Sequence, residues 1–349
     1  MSTAVSSTPA SPSAVHKPAT LLAMSERTRQ ILFTERLLAE LADAGEVDPA
    51  RIVTDFADPA LADALASVEV LLTGWGCPPI DEAALARMPA LRAVVHAAGT
   101  VKGHVTDAVF ARGIVVTSVA EANAVPVAEY ALAAILFAGK RVLETAQEFR
   151  RARGSVDVSA AFPAMGNYER VVGLVGASRV GRRVAELLRH FEVRVLLHDP
   201  YVEPDDARAL GAELVELDDL IAASDIVSIH APQLPATYHM FDRRRLALMR
   251  DGATLINTAR GSLVDTDALT EQLLTGRLYA ILDVTDPEPP APESPLWDLP
   301  NVLLTPHVAG SLGNELGRMV RAALDELRRY ASGEAFQHGI EPDELAVTA

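Results

Sequence analysis

VVGLVGASRVGRRVAELLRHFEVRVLLHD, residues 171–199, begins with a short β-branched and aliphatic run, Val171 to Val175. Such a run marks a buried parallel strand. Gly176-Ala177-Ser178-Arg179-Val180-Gly181 then turns the chain, and Val180, Val184, Leu187 and Leu188 recur at helical spacing. A second apolar run, Val193 to Leu197, leads to Asp199, 18 residues beyond Gly181. Strand, glycine turn, helix, strand and terminal carboxylate together read as a dinucleotide-binding βαβ unit.

Each residue type has a physical reason. Gly176 permits the tight turn, and Gly181 lets the helix pack close to the strand. The free N–H groups at the helix N-terminus face a pyrophosphate. Asp199 accepts hydrogen bonds from adenosine ribose hydroxyls and repels a 2′-phosphate, which favours NAD over NADP. The middle glycine of the pattern is replaced by Ser178, whose hydroxyl can itself donate to a phosphate.

The 349 residues leave room for two domains, and 49% hydrophobic with 22% charged residues is the balance of a soluble globular chain. A formal charge of −16 argues against nucleic acid or an anionic membrane as partner, so an anionic substrate would need locally placed cations. The single cysteine, Cys77, permits no intrachain disulfide, which fits a reducing cytoplasm. The longest aliphatic stretch, Tyr130 to Ala138, reads as too short to span a bilayer, and the N-terminus carries no signal-peptide pattern.

Met1 to Lys17, rich in Ser, Ala, Thr and Pro, reads as an unstructured tail. Beyond it, strands at Thr20–Met24, Val68–Thr73, Leu91–Ala97 and Ile114–Thr117 alternate with helices at Glu35–Ala44, Pro59–Ala66 and Asp81–Arg87. This predicts an α/β domain over 18–122, completed by the C-terminal helix segment 312–349. The loops after its strands, Gly74-Trp75-Gly76 and Ala98 to Gly103, lie on the edge where open α/β sheets bind ligands. Trp75 there either walls a substrate cleft or is an ordinary half-buried aromatic, and Lys102 reads first as a solvated surface lysine and second as a cation that draws in an anion. Cys77, His96 and His104 have no partner at metal-ligand spacing and read as structural or incidental; no metal is expected. One long apolar helix is predicted from Asn123 through Glu129 to about Arg150, followed by an irregular connection, Arg151–Gly166. Strands at Ile226–His230, Thr254–Asn257, Ala280–Asp283 and Val302–Thr305 give, with the two around Gly176, six strands for a domain over 123–311. The last helix, Asn314–Tyr330, sets Leu316, Met319, Val320, Ala323, Leu324 and Leu327 on one stripe, to pack against the first domain's core.

Three segments follow late strands and carry chemistry. Asn257-Thr258-Ala259-Arg260-Gly261 offers a guanidinium fork suited to a carboxylate. Asp283-Val-Thr-Asp286-Pro-Glu288-Pro289 fixes a carboxylate between two prolines. Asn301 to Gly310 ends a strand at His307. Proton donation to a carbonyl during hydride transfer requires a group that titrates near neutrality, and histidine is that side chain. Glu288 would orient the imidazole and favour its protonated form; Asp286 and Glu293 rank below it. Arg260 would bind the substrate carboxylate and polarise the adjacent carbonyl.

Over roughly Leu91 to Gly310 the chain resembles the D-isomer-specific 2-hydroxyacid dehydrogenases, which include phosphoglycerate, glyoxylate/hydroxypyruvate and formate dehydrogenases. The resemblance rests on Asn123-x3-Val-Ala-Glu129, Gly176-Ala-Ser-Arg-Val-Gly181, His198-Asp199-Pro200-Tyr201, His230-Ala231-Pro232 with Thr237, Asn257-Thr-Ala-Arg260-Gly261, Asp283-Val-x3-Glu288-Pro289 and Thr305-Pro-His307. It implies Arg260, Glu288 and His307 as the catalytic trio. Cofactor contacts fall on Gly176, Ser178, Arg179, Val180, Gly181, Asp199, Ala231, Pro232, Thr237, Thr258, Ala259, Asp283 and Gly310. Trp75, Gly76, Gly99, Thr100 and Arg260 would meet the substrate. The implied fold is two doubly wound parallel-sheet domains with a cleft between them, a flavodoxin-like substrate domain and a Rossmann NAD domain. A homodimer built around the helix near Glu129 is implied as well. The substrate-carboxylate loop, a G-V-G-x-D run in the family, reads Gly99-Thr-Val-Lys-Gly-His, about one residue short.

The expected activity is interconversion of a 2-oxo acid and a D-2-hydroxy acid with NAD in the cytoplasm. Three other readings stand beside it: a dehydrogenase of an unusual acid (phosphite, formate or a phosphonate), a dinucleotide-sensing corepressor-like binding protein, and a relative that binds NAD without turnover.

Overall fold

Alternating apolar runs and capped helices organise the chain into two α/β units. The computed structural model describes residues 16–347. Residues 1–15 of the expected tail lie outside the described residues. Lys17, its last residue, donates from Nζ to the Ala42 carbonyl oxygen at 2.8 Å. One unit runs to Val119 and takes in Val320–Ile340; the other holds Ala120–Met319 and the residues from Glu341. The division falls three residues before the boundary read at 122/123 and eight after the one read at 311/312.

The first unit is a five-stranded sheet of β1 (Thr20–Ala23), β2 (Ile52–Val53), β3 (Val70–Thr73), β4 (Ala93–His96) and β5 (Val115–Ser118). Its order is β2-β1-β3-β4-β5, every pair parallel, as in flavodoxin-like sheets. Helices α1 (Glu26–Leu32), α2 (Glu35–Ala44), α3 (Ala62–Ser67), α4 (Glu82–Arg87) and α5 (Asp107–Ala111) connect the strands. Side-chain caps begin several of them: Ser25, Thr34 and Asp81 accept from the backbone N–H three residues on. β2, α1 and α5 were not anticipated, because a two-residue strand and helices of seven and five residues show too little of a period to read.

The second unit begins with α6 (Ala120–Gly139), α7 (Val142–Ala152) and α8 (Val158–Ala161). The single long helix expected to Arg150 is therefore broken. Arg141 adopts a left-handed backbone, φ 50°, and the Gly139 carbonyl accepts from Gly166 N at 2.7 Å. The Arg141 guanidinium lies 4.0 Å over the Tyr279 ring and donates to the Thr254 hydroxyl and the Gly252 carbonyl. These partners, more than a hundred residues away in sequence, stop the helix. By length and composition alone α6 would pass for a membrane span. Its Ala128, Ala131, Ile135 and Ala138, however, pack in a core with Val172, Leu174, Val184 and Leu188 of the same unit.

The sheet comprises β6 (Arg170–Val175), β7 (Val193–His198), β8 (Glu213–Leu214), β9 (Ile226–Ile229), β10 (Thr254–Asn257), β11 (Tyr279–Leu282) and β12 (Val302–Leu304). Its order is β12-β11-β10-β9-β6-β7-β8, again all parallel. The six strands expected become seven through the short β8. Helices α9 (Arg179–Leu188), α10 (Pro204–Ala209), α11 (Leu217–Ala223), α12 (Arg243–Leu248) and α13 (Thr266–Leu274) complete the winding. One face of the sheet packs under α6 and α9, and the other carries Leu220, Ile221, Leu246, Leu269 and Leu273.

The last long helix, α14 (Leu316–Ser332), buries all six residues of the expected stripe. From Val320 it belongs to the first unit, where Arg321 and Arg328 approach Glu40 of α2. Gly339 then pairs antiparallel with Thr117 at the β5 edge. A short helix, α15 (Pro342–Val347), ends the described chain.

Candidate active site

In the second sheet the strand order reverses between β6 and β9, and ligands bind at such a switch point. The turn after β6 and the loop His230-Ala231-Pro232 after β9 meet there. Gly176 has φ +100°, and a side chain on it would come within 2.6 Å of Ala231 N; one on Gly181 would reach 2.0 Å from the Gly176 carbonyl oxygen. Both positions require glycine. Ser178 does not, since its backbone is ordinary extended chain, φ −62° and ψ 178°. Its Oγ accepts from Gly181 N at 3.3 Å, capping α9, and its own proton remains available to an anion.

Asp199, just past β7, reaches back over this turn: Oδ2 accepts from Ala177 N at 2.7 Å and Oδ1 from Tyr201 N at 2.8 Å. Arg179 is engaged at 2.9 Å with Glu121, a residue the sequence reading did not single out. Val180 is half-buried beside it. Thr237 donates from its hydroxyl to the Pro232 carbonyl at 2.7 Å and accepts from Leu234 N, so it braces the loop that carries Ala231 and Pro232.

The three segments expected to carry chemistry follow β10, β11 and β12, adjacent strands in parallel register. His307 Nδ1 lies 2.8 Å from Glu288 Oε1, and both side chains are substantially exposed. The pairing chooses Glu288 over Asp286 and Glu293. Accepting from Nδ1–H, the carboxylate fixes the tautomer and leaves Nε2 without a partner among the described residues. His307 has φ 54°, a left-handed backbone that costs a non-glycine residue of order 1–3 kcal/mol unless its surroundings enforce it.

Asp283 supplies that enforcement. Its buried carboxylate accepts from Val308 N at 2.8 Å, Ala309 N at 2.9 Å and the Thr305 hydroxyl at 2.6 Å, while its carbonyl oxygen accepts from His307 N at 3.0 Å. Tyr130 of α6 holds Thr305 in turn, 2.8 Å between the oxygens. Asn123 accepts from Ser311 N at 2.9 Å beside Gly310, closing the loop from the other side. Asp283, expected only alongside the cofactor, is thus also the clamp of the histidine loop.

Arg260 is largely buried, and burial pulls its guanidinium below its ordinary value while the Glu288 charge opposes the shift. Its Nη1 donates to the Ala259 carbonyl at 2.7 Å. Asn257 braces this loop, accepting from Ala259 N and donating to the Arg260 carbonyl. Gly261 was quoted in the motif without a role. A methyl group there would stand 2.0 Å from Thr285 C and O, in the loop that leads to Glu288. Gly261→Ala is therefore expected to cost about 1–3 kcal/mol by overpacking, read as a lower urea midpoint.

Beside Arg260 the Thr258 hydroxyl is buried and has no partner among the described residues, the kind of atom a bound ligand satisfies. With the helix terminus at Ser178 and the Asp199 carboxylate, it forms a donor and acceptor set that suits a dinucleotide. In the first unit, Trp75 is exposed after β3 and Gly76 has φ +81° against Ser25. Gly99 and Thr100 follow β4, next to the buried pair His96 and His104.

The second unit is a dinucleotide-binding domain with an arginine, a carboxylate and a histidine gathered at the ends of consecutive strands. Residues 132–309, more than half of the chain, match the model for "D-isomer specific 2-hydroxyacid dehydrogenase, NAD binding domain". The chain belongs to this family, and its cofactor is NAD. The D-3-phosphoglycerate dehydrogenase of Mycobacterium leprae is 33% identical over 265 residues, 76% of this chain and 49% of that protein. The glyoxylate reductase of Korarchaeum cryptofilum is 36% identical over 262 residues, 73% of this chain and 78% of the reductase. A solved D-lactate dehydrogenase from Aquifex aeolicus, complexed with NAD and lactic acid, is 26% identical with a TM-score of 0.67, covering 90% of this chain and 96% of that one. The chain spans about half the length of the first curated relatives it matches.

Proposed function

We propose that the chain interconverts a 2-oxo acid and a D-2-hydroxy acid, with NAD as the hydride carrier. The observation that carries this reading is the 2.8 Å pairing of His307 Nδ1 with Glu288 Oε1 on a clamped loop. Bound nicotinamide supplies two electrons and one hydrogen to the 2-carbon, or takes them back. His307 gives the matching proton from Nε2 to the carbonyl oxygen, and removes it in the oxidative direction. Glu288 holds the ring and stabilises the imidazolium left after the reverse transfer. Arg260, already largely desolvated, offers its free nitrogens to the carboxylate of the acid.

Asp199 takes the adenosine ribose hydroxyls in this reading. Asp199→Ala is expected to weaken NADH binding about 10- to 100-fold, the worth of a charged hydrogen bond, and to narrow the preference over NADPH. Fluorescence titration with both nucleotides measures it. Phe137 on α6 and Phe149 on α7 are exposed aromatics, and they support a second copy of the chain over these helices as a homodimer. A single half-buried cysteine fits the reducing cytoplasm.

NADH oxidation against glyoxylate, hydroxypyruvate, pyruvate, phenylpyruvate and 3-phosphonopyruvate tests the reading. Turnover of at least one acid is expected. NADH binding with silence across the panel would overturn it.

A further inference from the structure

Thr73 and His96 are the last residues of β3 and β4 and lie opposite each other in parallel register. The Thr73 hydroxyl is 2.9 Å from His96 Nδ1. Beyond β4 the chain makes the loop Ala97–Gly103 and returns with His104, whose Nε2 lies 3.3 Å from the same hydroxyl. The two rings stand 4.6 Å apart, tilted by 43°. Read from sequence as structural or incidental, the pair in fact joins the two ends of the loop assigned to the acid's carboxylate.

All three side chains are buried, Thr73 completely. A hydroxyl has one proton, so Thr73 can donate to only one of the rings and must accept from the other. Burial pushes His96 down to about 3, with the His104 ring adding to it, and His104 down to about 4. Both imidazoles are therefore neutral at neutral pH, each with one N–H. His96 Nε2 is left over: it is buried and has no hydrogen-bond partner among the described residues. Such an atom costs of order 1–3 kcal/mol unless something uses it. The Thr100 backbone lies near this ring but short of a formed hydrogen bond to Nε2, and it favours the ring's protonated form, as a carbonyl acceptor does.

We propose, on the reading of the loop as a carboxylate site, that His96 is a positioning residue for acid binding. Its Nε2–H draws the Thr100 carbonyl inward when the acid binds. The order of donation is His104 Nε2–H to Thr73 Oγ, Thr73 O–H to His96 Nδ1, and His96 Nε2–H to the loop. Carbonyl and N–H of one trans peptide point in opposite directions. Drawing the Thr100 carbonyl inward therefore turns Val101 N–H outward, toward an anion. The residue acts through the backbone and does not touch the acid.

Asparagine and glutamine separate this role from simple packing. A glutamine amide reaches the position of Nε2, whereas an asparagine amide reaches only that of Nδ1. With glyoxylate and NADH, His96→Asn is expected to raise KM for glyoxylate about tenfold, the worth of one hydrogen bond. kcat should stay within about twofold, since His307 is untouched, and NADH affinity should be unchanged. His96→Gln should restore KM to within about threefold of the parent. Equal effects of the two variants on KM, or a parallel fall of kcat and NADH affinity, would overturn the proposal and leave the proposed activity standing. Should His96→Asn not fold, Thr73→Val with Thr73→Ser as its rescue reads the same split. A parent chain that binds NADH yet reduces neither glyoxylate nor the other four acids removes the activity, and this inference with it.

Discussion

Replacing His307 by alanine is expected to lower kcat for 2-oxo acid reduction about 10²- to 10⁴-fold, the usual worth of a positioned acid or base. NADH affinity should stay within about twofold of the parent. The argument is geometric. His307 is held by Glu288 at Nδ1 and by backbone bonds around Asp283, so its Nε2 is presented with a defined tautomer. Removing the ring removes the proton donor but leaves the glycine turn, Ser178 and Asp199 intact. Glu288→Gln should give a smaller loss, about 10- to 10³-fold, because the amide keeps the shape but holds the ring without charge. Steady-state rates beside NADH fluorescence titration check both. A His307→Ala protein with undiminished kcat would remove the histidine from the chemistry.

The second large effect is acid lability. His96 and His104 of the first unit and His230 of the second are buried, and burial pushes them down to about 3, 4 and 4. An unfolded histidine titrates near 6.5. Between about pH 6.5 and 4 the unfolded chain therefore binds protons that the folded chain refuses. Stability is fully present above about pH 6.5 and falls as pH drops toward the lowered folded values. Each histidine contributes a slope approaching 1.4 kcal/mol per pH unit, so three together approach about 4. Against a typical margin of about 5–15 kcal/mol, unfolding is expected to begin between pH 5 and 4. Urea midpoints measured from pH 7 to 4.5 report the slope. His230→Gln should reduce it by about a third, since both ring nitrogens of His230 lack partners among the described residues and burial alone lowers it. A midpoint that stays level down to pH 4.5 would contradict the burial argument.

Legibility followed sequence distance. Gly176, Gly181 and Asp199 were readable because strand, turn, helix and strand sit within 29 consecutive residues, where spacing alone decides which side chains meet. Arg260, Glu288 and His307 were readable as types at strand ends, and parallel register brings those ends together. The α14 stripe was readable from its period, since a helix buries one face whatever it packs against.

Other features were set by partners remote in the chain. Arg141 ends α6 because Gly252, Thr254 and Tyr279 hold its side chain, and nothing between Asn123 and Arg150 announces them. Asp283 became a clamp only once Thr305, Val308 and Ala309 had folded over it, and Gly261 acquired its role from the closeness of Thr285. His96 and His104 read only as structural or incidental because the hydroxyl they share stands 23 and 31 residues away. The sequence by itself determined two parallel α/β units, an NAD turn and the chemical types at the strand ends, all of which depend on local periodicity and backbone sterics. Tertiary structure alone decided which carboxylate meets the histidine, where the long helix stops and which buried polar groups find partners. Those outcomes depend on distances between strands, which no local period encodes.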